Sequence, residues 1–174
     1  MNDKNFAGNS KSCVDILGNE WHYDCMGCAI SRGDIETPGR VIFAGDIAIL
    51  AADPEIPIPG FLVVNVKKHI NSFSDLNPSE RVEIVNVITH AEKALKELGV
   101  TKEITIVQEE RSKHFHVWLF PTHEWMVEKF GKGISYLRNI SQYAKENANK
   151  ETIAQVLSIV NNVRKYFQEH DITK

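Results

Sequence analysis

Apolar positions in this chain alternate at short range through its first two thirds and then settle into stripes of helical period. Residues 41–43 and 47–51 are short apolar runs split by Ala44-Gly45-Asp46, a pattern that predicts a β-hairpin. Asp53-Pro54-Glu55-Ile56-Pro57-Ile58-Pro59-Gly60 follows, and its three prolines remove ladder donors, so a rigid extended connector is expected. Residues 61–66 are apolar and rich in β-branched side chains, hence a central strand. Asn77-Pro78-Ser79-Glu80 then opens a helix, with Asn77 as N-cap, Pro78 at the first position and Glu80 closing a capping box. Val82, Val85, Ile88, Leu95 and Leu98 supply its apolar stripe, and Gly99 ends it. Residues 104–108 and 114–120 read as strands joined by a polar turn at 109–113, the second stopped by Pro121. Residues 134–146 and 151–168 read as helices, the latter with Ile153, Val156, Leu157, Val160, Val163 and Phe167 along one side.

The order hairpin, strand, helix, strand pair predicts an α+β fold: a single antiparallel sheet packed with a long helix over residues 21–125. Residues 1–20 read as a lead-in with a short helix near 14–17, and residues 126–174 as a C-terminal helical extension packed on the same domain. Composition changes little here, since 43% apolar and 25% charged residues are ordinary for a globular chain of 174 residues. A net charge of −3 argues against a nucleic-acid-coating surface but leaves room for a local basic patch facing an anionic small molecule. No apolar run has the length of a membrane span and no signal-peptide pattern opens the chain, so no membrane partner and a cytoplasmic location are expected. In that compartment, three cysteines are reduced thiols or metal ligands rather than a disulfide framework.

Chemistry concentrates in two places. Cys25-Met26-Gly27-Cys28 can turn two thiols onto one tetrahedral metal, with Gly27 easing the turn. The same spacing also serves redox proteins, though no strand precedes it to start a βαβ unit, and it also allows two buried cysteines without a ligand. A zinc reading needs two more ligands from the seven histidines. His69 follows the strand at 61–66, whereas His114 and His116 lie two apart on a strand and so share one face. One of that pair can bind metal while the other faces a substrate. His22 is a reserve ligand beside the Cys loop, His123 sits where it can line the mouth of a site, and His90 and His170 read as boundary or solvated residues.

His114-Phe115-His116-Val117-Trp118-Leu119-Phe120-Pro121 resembles the histidine triad motif, His-x-His-x-His followed by apolar residues. Gly33-Asp34-Ile35, Asp53, Pro59-Gly60, Lys68-His69, Ser72 and Asp75-Leu76 follow the family in order, so the resemblance spans roughly residues 25–121. It is nearest to the zinc-binding branch, which includes diadenosine tetraphosphate hydrolase-like enzymes and, more distantly, galactose-1-phosphate uridylyltransferase. The resemblance implies a structural zinc held by Cys25, Cys28, His69 and His114, with all four positions filled by protein. It implies His116 as a nucleophile forming a nucleotidyl–imidazole intermediate, so that the chain is a hydrolase of dinucleoside polyphosphates or related nucleotidyl compounds. A nucleotidyltransferase or phosphorylase shares the first half-reaction and stands as an alternative, as does a non-catalytic zinc-stabilised nucleotide-binding protein. By the same resemblance Asp53 binds ribose hydroxyls, Gln108 and Ser112 contact phosphate, and Ile30 and Phe43 wall the base pocket. A homodimer is expected by the same analogy and from the apolar faces of the long helices. Two departures stand out: Trp118 holds the third histidine position, and Glu109-Glu110-Arg111-Ser112-Lys113 replaces the glycine-rich phosphate loop. An indole N–H can donate to phosphate but cannot shuttle a proton.

Overall fold

The computed structural model describes residues 11–172. It opens with β1 (Lys11–Val14) and β2 (Glu20–Tyr23), an antiparallel hairpin separate from the main sheet. This corrects the expected lead-in and helix near residues 14–17; residues 1–10 of that lead-in lie outside the described residues. The reason is Asp15. Its Oδ1 accepts from the backbone N–H groups of Leu17 and Asn19, and its Oδ2 from the side chains of Asn19 and Trp21. Such a side-chain-closed turn reverses the chain where a helix would have had to continue it.

The main sheet has five strands in the spatial order β3 (Phe43–Ala44), β4 (Ala48–Ala52), β5 (Leu62–Val66), β7 (His116–Pro121) and β6 (Ile104–Gln108), every neighbouring pair antiparallel. The single antiparallel sheet expected from the sequence is therefore present, with the β3–β4 hairpin closed at Gly45 by its N–H on the Ala48 carbonyl. The strand expected from His114 begins two residues later. Asn65 pairs with His116 in register, and beyond Val66 the partner strand ends, so His114 has no ladder partner.

Period-two alternation divides the sheet into two faces. Leu62, Val64 and Val66 of β5, Val117 and Leu119 of β7 and Leu50 of β4 join one core with α2 (Pro78–Glu97) and α5 (Lys150–Glu169). Helix α2 carries the capping box read from the sequence: Asn77 Oδ1 accepts from Glu80 N and Glu80 Oε2 from Asn77 N. Its buried stripe matches the expected one only in part, at Leu95 and at the half-buried Ile88. Ile84, Val87, Ala91, Ala94 and Leu95 face the sheet, while Val82 and Val85 are 59% and 54% exposed. Two stripes of the same period run along this helix, and the one containing two alanines lets its backbone approach the sheet. Helix α5 buries Val156, Val160 and Val163, as its sequence stripe indicates, and Arg164 donates from it to the carbonyls of Gly39, Arg40 and Val41.

The opposite face is shared. At one end α3 (Glu124–Phe130) and α4 (Leu137–Glu146) pack Met126, Leu137, Ile140 and Ala144 against Phe61, Phe120, Ile56 and Ile58. Helix α3 was not legible in the sequence, being only seven residues long with His123 as an N-cap that makes no side-chain cap bond. At the other end, α1 (Met26–Arg32) and the β1–β2 hairpin border an open cavity. Among the described residues no helix is long and apolar enough to cross a membrane.

Candidate functional site

The chain meets itself at four soft donors. Cys25 is the N-cap of α1, and Cys28 its third residue, so one helical turn brings both thiols to the same side. His69 lies just past β5, and His114 just before β7, two strands that are neighbours in the sheet. The ligand atoms of Cys25, Cys28, His69 and His114 all lie within 4.8 Å of one another. Cys25 Sγ and Cys28 Sγ stand 3.2 and 3.6 Å from His114 Nδ1, Cys28 Sγ 3.2 Å from His69 Nδ1, and the two Nδ1 atoms 3.4 Å apart. A tetrahedral ion with zinc-like bonds of about 2.3 Å to sulfur and 2.0–2.1 Å to nitrogen separates its ligands by roughly 3.3–3.8 Å. The donor set fits.

The supporting contacts agree with that use. His114 is buried, and its Nε2 lies 2.9 Å from the Val66 carbonyl, which places the proton on Nε2 and the lone pair on Nδ1, toward the cluster. Burial holds this imidazole below its ordinary pKa, so it is neutral and able to ligate near pH 7. Burial pushes the Cys28 thiol up, and Cys25 beside it adds to the shift, a cost that a bound dication would reverse.

Gly27 has a purpose its position between the cysteines did not reveal. Its backbone is not strained; instead the His114 ring lies against it, and a Cβ placed there would stand 2.5 Å from Nε2. Gly27→Ala is therefore expected to push the imidazole out of line and weaken metal binding roughly 10–100-fold, as loss of ligand orientation does elsewhere. Competition with a chromophoric chelator measures this, and unchanged affinity would contradict it. Asn65 was also missed, although a lone amide in the apolar run of β5 was its visible signal. It is buried, and donates from Nδ2 to the Gly27 carbonyl at 2.9 Å, tying α1 to the sheet.

Two residues beyond His114, His116 takes part in a different geometry. Its Nδ1 lies 3.0 Å from the His114 carbonyl and 3.2 Å from Ser112 Oγ, which itself donates to that carbonyl at 2.9 Å. A ring nitrogen facing a carbonyl must carry the proton, so the lone pair falls on Nε2. Lys113, in the left-handed region at φ 59°, folds the loop back so that Ser112 can make this contact. His116, Ser112, Asp53, Trp118 and Ile30 all line a cavity of about 460 Å³, together with His69, His114, Cys25 and Asn65.

Gln108 and Phe43 are not brought to this cavity. Gln108 pairs in register with Val117, whose side chain faces the α2 core, and its amide donates to the Asn71 carbonyl at 3.4 Å. Phe43 packs on Phe167 of α5 with ring centroids 5.5 Å apart. Of the remaining histidines, His22 lies beside Glu20 and is not part of the Cys/His cluster, and His123 bonds the Pro59 carbonyl at 2.7 Å. In the acidic loop Glu109 is paired with Arg111 and Arg138, so its charge is drawn toward α4.

Several solved structures superpose on this architecture. They include a zinc-bound histidine triad family protein from Mycobacterium smegmatis, 15% identical with a TM-score of 0.56, covering 81% of this chain and 96% of that one. A Hit-like protein involved in cell-cycle regulation from Bartonella henselae is 18% identical at a TM-score of 0.56, covering 80% and 93%. A hypothetical histidine triad nucleotide-binding protein from Sulfolobus tokodaii is 17% identical at 0.56, covering 83% and 94%. The fold is that of the histidine triad proteins. No protein-family model matches the sequence, and no curated protein matches it.

Asp53 follows directly on β4 at the cavity wall. Its Oδ1 accepts from the N–H groups of Glu55 and Ile56, both at 2.9 Å, and Oδ2 carries no hydrogen bond among the described residues. Burial pushes this carboxyl up to about 6 against the two backbone donors, and the nearby Glu55 adds to the rise. A carboxyl with a raised folded-state pKa favours the fold below its unfolded value near 3.8, and that contribution is lost as pH rises through about 6. Asp53→Asn keeps the acceptor oxygen and removes the charge. It is expected to stabilise the ligand-free protein at pH 7.5 by about 1–2 kcal/mol, the full shift being discounted for partial exposure, and to change little at pH 4. Thermal unfolding at both pH values checks this; equal effects at the two would refute it.

Proposed function

We propose that this protein hydrolyses dinucleoside polyphosphates or related nucleotidyl compounds through a covalent intermediate on Nε2 of His116. The observation that carries this reading is the fixed tautomer of His116, whose lone pair sits on the wall of a cavity large enough for a nucleotide. The cavity lining is also chemically mixed. Ile30, Ile49, Ala51 and Val63 offer an apolar wall suited to a base, whereas Ser112, Lys113 and His116 supply donors and positive charge suited to phosphate. Asp53 borders the cavity with an unused carboxylate oxygen, suited to ribose hydroxyls. The nucleotide-binding description of the Sulfolobus neighbour agrees with this use.

In the proposed reaction, His116 Nε2 attacks the α-phosphorus and the bond to the bridging oxygen breaks. The remaining phosphate chain leaves as an anion. Water then attacks phosphorus, the P–N bond breaks, a water proton passes to solvent, and a nucleoside monophosphate is released. A phosphate leaving group is stable unprotonated, so this class of substrate suits a site where Trp118 replaces a proton-carrying histidine. Ser112 would hold the His116 ring and the tautomer in place for both steps. Cys25, Cys28, His69 and His114 would hold zinc, which when bound fixes the loop before β7, and with it the aim of His116. With all four of these ligands bound, a zinc ion would keep no open position for a water.

Trp118 also favours a second reading, a nucleotide-binding protein without turnover. The two separate in one experiment: incubate with diadenosine polyphosphates, quench in base to preserve the acid-labile P–N bond, and map adducts by peptide mass. An adenylylated peptide containing His116 supports the enzyme. Nucleotide affinity without adduct or product supports the binding protein.

A further inference from the structure

The strap from Asp53 to Gly60 forms one border of the cavity, yet it has little backbone anchorage of its own. Pro54, Pro57 and Pro59 offer no N–H, and the internal bonds are limited to Ile58 N–H on the Ile56 carbonyl and the Asp53 turn. The strap is held from outside instead. Ile16 N–H donates to the Pro54 carbonyl, and His123 at the start of α3 bonds the Pro59 carbonyl. From α4, Leu137, Ile140 and Ala144 pack on Ile56 and Ile58, and the next residue, Lys145, pairs with Glu55 at 3.1 Å. Both partners are about one-third exposed, so this pair is screened less than a fully solvated one.

Glu55 matters because of where it stands. Its backbone N–H is bound by Asp53, so the two carboxylates belong to one tight turn, and Glu55 raises the cost of charging Asp53. We propose that Lys145 of α4 is a positioning residue for the nucleotide cavity: by neutralising Glu55 it lets Asp53 carry the charge that binds ribose. The helical extension then has a role in recognition, although α4 itself does not line the cavity. This deepens the nucleotide reading above and rests on it only for the identity of the ligand.

The other groups around Asp53 do not compete for this role. Cys13 from β1 and Tyr23 from β2 face it, but burial pushes the thiol up and the phenol up to about 12, so both stay neutral between pH 5 and 8. Lys11 and Asp24 also line the cavity.

The test follows the Asp53 carboxyl directly, by carbon-13 NMR of aspartate-labelled, zinc-loaded protein, with Asp53→Asn assigning the signal. Lys145→Met keeps the aliphatic stem; it is expected to raise the Asp53 midpoint by roughly half a unit to one unit, an effect of one nearby charge. Glu55→Gln should lower it, the double variant should return close to the native value, and Lys145→Arg should leave it in place. In parallel, AMP affinity of Lys145→Met should fall about threefold at pH 6 and match the native protein at pH 8.5, the fraction of ionised Asp53 deciding the difference. An unmoved midpoint in Lys145→Met overturns the proposal, as does an affinity loss equal at both pH values, which would mark a purely structural role. If the midpoint moves but the native protein binds no AMP, the coupling stands and the nucleotide reading falls.

Discussion

His116→Ala is expected to lower turnover of a dinucleoside polyphosphate at least about a thousandfold while changing nucleotide affinity only a few-fold. The asymmetry follows from what the side chain does. Its Nδ1 is spent on the His114 carbonyl and Ser112, so its stabilising contacts are local, and in the proposed reaction Nε2 would attack phosphorus. Removing a nucleophile takes away a bond made only on the reaction path, which lowers kcat and kcat/KM together and leaves ground-state binding nearly intact. Ser112→Ala should have a smaller effect, roughly tenfold on kcat, since the His114 carbonyl still holds the tautomer. Steady-state kinetics and AMP titration of both variants provide the check. Native-like turnover in His116→Ala would remove the nucleophile assignment and leave the metal cluster untouched.

The second large effect concerns the metal. Purified protein should contain about one zinc per chain, and His114→Ala or Cys25→Ser should lose most of it. The cluster joins α1 to the loops flanking β5 and β7, three segments remote in sequence, so losing the ion unties one whole end of the cavity. A ligand at a thousand times its dissociation constant stabilises the native state by about 4 kcal/mol. In a chain of this length each kcal/mol moves the midpoint by about 2–4 °C, so chelation should lower it by roughly 10 °C. Because the sheet and α2 form a separate apolar core, the metal-free protein should remain folded with its far-ultraviolet signal intact. A purified protein that is metal-free yet unaltered by added zinc would refute the assignment.

The single sheet, the capped α2 and the α5 stripe were readable because each rests on local chemistry: a hairpin glycine, a reciprocal cap, a helical period. The β1–β2 hairpin was not, because its turn is closed by one buried aspartate bonding four groups, and Asp15 looks like any surface acid in sequence. The stripe on α2 was misplaced in part since Val82 and Val85 obey the same period as Ile84 and Val87, and only the approach of Ala91 and Ala94 to the sheet separates them. In the site, the resemblance to the triad family singled out Cys25, Cys28, His69 and His114, whose ligand atoms the fold brings within 4.8 Å of one another. Gln108 stays outside the cavity for a geometric reason: a shift of one residue along β6 would turn it to the other face of the sheet. Gly27 was noticed for the wrong property, since what it provides is room for an imidazole from 87 residues further along the chain.

Trp118 has an optical consequence. Of the three tryptophans it alone lines the cavity, with its ring edge-on to Phe61 and 6.2 Å between ring centroids from His116. Trp21 is engaged by Asp15, and Trp125 is packed near Tyr143, both away from the cavity wall. A nucleotide entering the site would displace solvent from one indole and leave the other two unchanged. The residue that departs from the triad thus equips the protein with its own emission signal, expected to shift or quench on occupancy and to vanish as a reporter in Trp118→Phe.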